Sequence, residues 1–280
     1  MKAAAFALLR LVVSASILAA ILSRISIPHP ASRAVDHTAL YLAAALVLAL
    51  ISIVLVALRW RLLAHWLGLA LPPLLAVRAL FLGVFGAQLL PSAIGTDLLR
   101  GWLVSRHLAG AGRIAASVVA DRLVALFAVC LLFTLANPVP KQLPASYAVL
   151  LGPAAVLATG TILLVFVLGC GQRPRARPLL GALGLALAVH ALSVVIAALA
   201  ARAFGVDASL RLWVSIVPLA VIASALPISI NGWGVREATI VALAAPLGVS
   251  APGALLVSLT IGALNMAASL PGALVMLRAR

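Results

Sequence analysis

Apolar residues run along this chain in stretches long enough to cross a bilayer, joined by short polar connections. Stretches of about 20 residues, the length needed to cross a hydrocarbon core of ~30 Å, fall near residues 4–22, 39–58, 114–135, 147–169, 179–201 and 253–277. Two further apolar regions, 74–109 and 212–249, are each split by a polar break. The first reads LLPSAIGTDLLR and holds Pro91, Ser92, Gly95, Asp97 and Arg100; the second reads LPISINGWGVRE and holds Pro227, Ser229, Asn231, Gly232, Gly234, Arg236 and Glu237. The arms beside each break are about 15 residues or shorter, too short to span, which predicts helices that enter and leave on the same side. Such broken backbone is tolerated at membrane depth where protein or a water-filled cavity surrounds it.

The predicted order is span, span, re-entrant hairpin, span, followed by the same again. Unit starts at 4 and 147, breaks at Pro91 and Pro227, and closing spans at 114 and 253 give offsets of 143, 136 and 139 residues. Three crossings per unit is an odd number, so the second unit enters the membrane inverted. The expected fold is therefore all-α: a polytopic integral membrane protein forming a single membrane domain over 1–280. It has about six full spans plus two re-entrant hairpins at 74–109 and 212–249, with inverted-repeat halves of about 1–140 and 141–280. If the arms run through the membrane, the count rises to eight or more. Paired Pro/Gly-interrupted segments at matching places in two halves point to a transport site.

Composition agrees with the pattern. Hydrophobic residues make up 65% and charged residues 9%, against about a quarter charged in soluble proteins, and the mean hydropathy is +1.27. The net charge of +15 has no folded hydrophilic surface to carry it, which argues against nucleic acid as a partner. The arginines sit in short connections, where they set orientation and attract anionic lipid. Arg59 and Arg61, then Arg100, Arg106 and Arg113, then Arg173, Arg175 and Arg177, then Arg278 and Arg280 mark cytoplasmic segments, and both termini are expected there. The first connection, with Arg24, Arg33 and Asp36, fits this assignment less well. The basic, apolar N-terminus is read as an uncleaved first span because Arg10 interrupts it early. Tyr41, Trp60, Trp66, Tyr147 and Trp213 are expected at the membrane interfaces.

Among only five acidic residues, three fall at expected bilayer depth, where an acid costs about 2.5 to 3.5 kcal/mol on insertion scales. Asp97 and Arg100 have the spacing of a pair on one helix face, while Thr96 or Asp97 also suits an N-cap. Asp121 and Arg122 are adjacent in a span, so their side chains point about 100° apart and must find partners elsewhere. The candidates are Arg100 or Arg236 for Asp121, and Asp97 or Glu237 for Arg122. The resulting cluster serves either transport or a structural salt bridge. In the second break Asn231, Gly232 and Gly234 free the backbone, either to expose amides to an anion or simply to turn. Arg236 has the fork that matches phosphate oxygens. No catalytic or metal set emerges: the five histidines are scattered, Ser92 and Ser229 have no histidine nearby in sequence, and Cys130 and Cys170 have no spacing partner. No cofactor is expected.

At these residues the chain resembles the membrane region of the lysylphosphatidylglycerol synthase and flippase superfamily. LPSAIGTDLLR resembles its Leu-Pro, Gly, acid, Arg block, VVADRLVAL its Asp-Arg block, and PISINGWGVRE its Pro, Ser, Gly-x-Gly, Glu block. Their order covers about 85–275. Thr96 and Gln88 depart from the residues often found there, and the aminoacyl-transferase domain of the full-length synthases has no counterpart in these residues. The resemblance implies a non-enzymatic, flippase-like transporter of a phospholipid or isoprenoid-linked lipid in the bacterial inner membrane, working through a polar groove between the halves. In it Arg100, Arg122, Arg236, Asn231, Ser92 and Ser229 bind the head group, Asp97, Asp121 and Glu237 couple charge, and Pro91, Gly95, Pro227, Gly232 and Gly234 form the hinges. An anionic membrane lipid is the expected partner, with envelope-lipid biosynthesis enzymes a further possibility. The alternative is an accessory protein, or a small membrane enzyme of lipid or cell-envelope metabolism.

Overall fold

The computed structural model describes residues 2–25, 36–89, 95–136, 152–170, 176–226 and 229–278, and every regular element among them is helical. Pro91, Ser92, Pro227 and Tyr147 lie outside the described residues. The helices are α1 (Lys2–Arg24), α2 (Thr38–Trp66), α3 (Pro73–Leu89), α4 (Gly95–Ser105), α5 (Ala111–Ala136), α6 (Pro153–Gly169), α7 (Ala176–Ala203), α8 (Leu210–Ala225), α9 (Val235–Ala244), α10 (Ala251–Ser269) and α11 (Pro271–Arg278). Four stretches are long and apolar enough to cross a membrane: Thr38–Trp66, Ala111–Ala136, Arg177–Ala203 and Ala251–Arg278. They correspond to four of the six predicted spans.

Helix order and length recur along the chain. A long helix, two short ones and another long helix (α2 to α5, 29, 17, 11 and 26 residues) are followed by the same succession (α7 to α10, 28, 16, 10 and 19 residues). The two long first members also end alike. Gly68, at φ 76°, and Gly205, at φ 60°, close α2 and α7 with the same pair of hydrogen bonds, Gly68 N–H to His65 O with Leu69 N–H to Ala64 O, and Gly205 N–H to Arg202 O with Val206 N–H to Ala201 O. Both are the left-handed glycine stop that satisfies the last carbonyls of a helix. The next helix begins in each case at once, with Pro73 in the first position of α3 and the Ser209 hydroxyl accepting from Leu212 N–H ahead of α8.

The described residues fall into two compact units. One comprises 1–50, 86–95 and 192–269; the other comprises 51–85, 96–191 and 270–280. In the first, Trp213, Ile216, Ile240 and Val257 pack against the alanine face of α7 at Ala197, Ala200 and Ala201. Small residues let helices approach closely where lipid supplies no hydrophobic drive for association. In the second, Trp60, Ala64, Leu71, Ala79, Val104 and Ile114 form the core, continued by Ala120, Val124 and Ala128 of α5 against Ala182 and Ala186 of α7. The outer residues of α6, including Leu157, Leu164, Val165 and Leu168, are exposed, an apolar surface that suits hydrocarbon.

Two expectations are corrected. Trp60 and Trp213 are fully buried and Trp66 nearly so, so these tryptophans are core residues; bulk and helix packing outweigh an interfacial preference here. Arg59 and Arg61 belong to no loop either, because α2 runs on to Trp66. The second arms of the broken regions are 11 and 10 residues, about 16 and 15 Å at 1.5 Å per residue, which is half a hydrocarbon core.

Gly83 shows how closely the first pair of arms packs. A Cβ on it would lie 2.6 Å from the Thr96 carbonyl oxygen, whereas one on Gly184 in α7 meets nothing within 4 Å. Gly83→Val therefore destabilises the detergent-solubilised protein by about 1 to 3 kcal/mol or more, while Gly184→Ala is neutral or stabilising by a few tenths up to ~1 kcal/mol. Thermal unfolding followed by tryptophan fluorescence measures both, and equal melting temperatures for the two variants would contradict the close approach of α3 and α4.

Candidate functional site

Each polar break delivers a cluster of charges into an apolar interior. At the first, α4 begins at Gly95, so Asp97 lies in its first turn rather than ahead of it. Asp97 Oδ1 is 2.8 Å from Nη2 of Arg100, one turn on. Arg100 Nη1 donates to Asp121 Oδ2 at 2.9 Å, and the other oxygen of Asp121 accepts from Arg59 Nε at 2.7 Å. Arg122 Nε donates to Asp97 Oδ2 at 2.8 Å. The adjacent Asp121 and Arg122 thus serve different partners: Arg122 pairs with Asp97 and Asp121 with Arg100, both among the expected candidates, while Asp121's second partner, Arg59, was not. The result is an alternating series, Arg59, Asp121, Arg100, Asp97, Arg122, of three guanidinium groups and two carboxylates.

Its members differ sharply in exposure. Arg59, Arg100 and Asp121 are 4%, 1% and 2% exposed, while the Arg122 side chain is 51% exposed. Arg100 also lies over the Trp60 ring, 4.7 Å from its centroid. Trp60 Nε1 donates to the Ser117 hydroxyl at 3.0 Å, which donates in turn to Ile114 O. The aromatic face and two carboxylates hold Arg100 on three sides, a geometry Arg satisfies better than Lys. Arg100 Nε has no hydrogen-bond partner among the described residues.

The second break folds around one carboxylate. Asn231, Gly232 and Gly234 all have positive φ, at 47°, 79° and 84°, and the chain turns through them into α9. Close approach reinforces the need for glycine: a Cβ on Gly232 would lie 2.7 Å from Ser224 Cβ, and one on Gly234 would lie 3.0 Å from the Ser14 carbonyl of α1. The Ser14 hydroxyl accepts from Ile230 N–H at 2.9 Å, tying α1 to the break. Glu237, fully buried, reaches back so that Oε2 accepts from Gly234 N–H at 2.6 Å. This is the glutamate half of a capping box. Its Oε1 accepts from Arg236 Nη2 at 2.6 Å, Arg236 Nε at 3.0 Å and the Ser258 hydroxyl at 3.1 Å. The anion at this helix N-terminus is the protein's own side chain.

Arg236 lies over Trp233, 4.8 Å from the ring centroid, and its side chain keeps 11% exposure. Gly262 of α10 makes room for both, since a Cβ there would collide with Arg236 Nη2 and Trp233. Ser229 is buried, and its hydroxyl, like Trp213 Nε1, has no hydrogen-bond partner among the described residues.

Sequence reasoning missed Arg59, Trp60, Ser117, Ser258, Trp233, Ser14 and Gly262. For Arg59 a signal existed: an arginine directly after an unbroken apolar run continues the helix as readily as it ends it. Ser258 and Gly262 carry none, because one small residue in an apolar helix is commonplace. Among the described residues no group of three His, Cys, Asp or Glu side chains is placed to hold a metal, and Cys130 and Cys170 are free thiols. His190 Nε2 lies 3.0 Å from the Ala125 carbonyl.

Breaking a buried ion pair from one side leaves an uncompensated charge and costs about 3 to 5 kcal/mol, whereas an exposed pair contributes about 0 to 1 kcal/mol. Asp121→Asn accordingly destabilises strongly and Arg122→Gln barely. Because Arg100 retains Asp97, removing Arg59 as well (Arg59→Met with Asp121→Asn) restores part of the loss, a non-additivity expected of contacting charges. Detergent melting curves of Arg59→Met, Asp121→Asn, their double variant and Arg122→Gln give the comparison; strict additivity of the first two in the double variant would rule out the shared carboxylate.

The three sequence blocks that resemble the synthase superfamily thus supply five of the interior charges: Asp97, Arg100, Asp121, Arg236 and Glu237. No curated protein matches the chain. The family described as the lysylphosphatidylglycerol synthase TM region matches over residues 7–177 and 169–272. Nearly the whole chain is covered, both breaks and all the interior charges included, and the protein belongs to the lysylphosphatidylglycerol synthase TM region family.

Proposed function

We propose that this protein is a flippase-like lipid transporter rather than an enzyme. It would act in the bacterial cytoplasmic membrane with both termini cytoplasmic, moving a phospholipid or isoprenoid-linked lipid with an anionic head group. The observation that carries the reading is the pairing of each helix break with a charge cluster that keeps one partly accessible arginine: Arg122 at the first break and Arg236 at the second. Intramembrane ionisable residues mark substrate paths by default, and an arginine fork suits a phosphate. Family membership links the chain to membrane-lipid metabolism.

On this reading the differences in burial support different tasks for the members of each cluster. Arg100 and Arg59, held by carboxylates and buried, set the cluster's geometry, and Arg122 is the cation able to meet a head group. At the second break Arg236 is the exchangeable member. If it swings to a phosphate, Glu237 keeps its bonds from Gly234 N–H and Ser258, so the carboxylate is not abandoned. Ser229, with its unpartnered hydroxyl, and Asn231 would add polar contacts beside it. The half-length arms α4 and α9 fit re-entrant hairpins of an inverted repeat, whose Pro/Gly breaks would flex. Energy would come from an ion gradient or from substrate flux.

Purified protein in liposomes carrying fluorescent phospholipid analogues tests this, with leaflet accessibility and lipid mass both read out. Wild type redistributes lipid of unchanged mass, and Arg122→Gln and Arg236→Gln each lower the rate at least about tenfold, the loss of one charge-assisted phosphate contact. Arg122→Gln melts near wild type, whereas Arg236→Gln, which takes the ion partner from buried Glu237, melts lower, so rates are compared well below both melting temperatures. Full activity in both variants sinks the assignment of these arginines. A lipid product of altered mass would favour a membrane enzyme, and no redistribution of any lipid would favour an accessory role.

A further inference from the structure

The second compact unit carries a cationic hollow whose lining shares no residue with either charge cluster. Arg78 of α3, His107 just after α4, and Arg278 at the end of α11 line an open cavity of about 190 Å³ together with Leu75, Leu103, Leu274 and Val275. Arg78, His107 and Arg278 are exposed. No carboxylate among the described residues pairs with either arginine, and none of the five acidic residues lines the cavity. His107 Nδ1 lies 2.9 Å from the Leu103 carbonyl, which fixes the ring at the end of α4.

Arginines at membrane ends commonly extend separately toward lipid head groups. Here they line one concave space whose other lining residues are apolar, and convergence is what a bound anion would require. The cavity is smaller than the ~300 Å³ at which pockets begin to enclose a whole drug-sized ligand, so it suits one head group with its chain left outside. Two guanidinium forks present matching donors for phosphate oxygens, and the leucines suit the glycerol or first methylenes of an attached chain.

The geometry points to a phosphate-binding site at Arg78, His107 and Arg278 that holds the anionic head group of a membrane lipid. It shares no residue with the clusters at the breaks and does not depend on lipid being transported.

The full chain in zwitterionic-lipid nanodiscs tests it, titrated with dioctanoyl phosphatidylglycerol, dioctanoyl phosphatidylcholine or inorganic phosphate. The anionic lipid binds saturably to wild type, the zwitterionic lipid far more weakly, and Arg78→Gln with Arg278→Gln weakens binding about tenfold or more, as losing two charge-assisted contacts implies. Leu274→Trp, which fills the hollow and keeps every charge, weakens it too. Replacing Arg106 and Arg113 instead leaves affinity unchanged. Inorganic phosphate binding with the same sensitivity to the arginine pair would keep the phosphate site and assign its source to free phosphate. Equal losses from either arginine pair, or Leu274→Trp binding like wild type, would show attraction to surface charge alone and overturn the proposal. Melting curves for each variant separate lost binding from lost fold.

Discussion

A carboxylate among apolar helices has no water to share its charge with, and it persists only where neighbouring donors surround it. Asp121 is the clearest case here. Its two oxygens are divided between Arg59 of α2 and Arg100 of α4, so one carboxylate on α5 sets the register of two other helices. The packing around it follows: Trp60 one residue after Arg59 becomes the platform for Arg100, and Ser117 one turn before Asp121 receives the indole N–H. Removing the carboxylate from this arrangement would leave two cations facing each other across a core of leucine and alanine. The helices are held in place by the same charges that make the region chemically interesting.

The second break solves the same problem by local means. Glu237 caps its own helix and takes its remaining donors from the preceding arginine and from Ser258. Backbone strain is spread over three residues that tolerate it, Asn231, Gly232 and Gly234, because Asn and Gly reach positive φ more readily than other residues. Rigidity therefore comes from two sources. The first break depends on side chains far apart in sequence, while the second depends mainly on its own loop, with α1 and α10 closing around it.

These differences explain what the sequence disclosed. The long helices were legible from apolar run length alone, since nothing else in a chain this poor in charge competes for that reading. The breaks were legible because Pro and Gly stand out against leucine and alanine, and the positive φ at Asn231, Gly232 and Gly234 follows from residue type. The candidate partners of Asp121 and Arg122 could be narrowed because so few charges exist; Arg100 and Asp97 were among them. Arg59 was not, because its helix outlasts the apolar run by two turns and sequence places such a residue in a loop. Trp60 and Trp213 misled for a related reason: a tryptophan near a predicted span end has the same local pattern whether its ring faces lipid head groups or the core. The capping role of Glu237 was available in the Gly-x-x-Glu spacing from Gly234, yet the same acid also reads as a functional charge.

That ambiguity is physical as well as interpretive. A charge kept inside a membrane protein for structure and one kept for transport both need partners in the resting state, so pairing alone does not distinguish them. Replaceability does. Arg100 touches two carboxylates and an aromatic face and has almost no exposure; moving it would strand Asp121 with half its donors and leave Asp97 only the half-exposed Arg122. Arg236 has a single carboxylate, a small exposed edge and a stacking partner in Trp233, and its departure leaves Glu237 with two hydrogen bonds. Arg122 is half exposed, and Asp97 remains paired to Arg100 if it leaves. On the transport reading an anionic head group competes only for the cations whose carboxylates are otherwise satisfied. By that criterion Arg122 and Arg236 are the exchangeable charges of the two breaks, and the remaining members hold the positions from which the exchange is made.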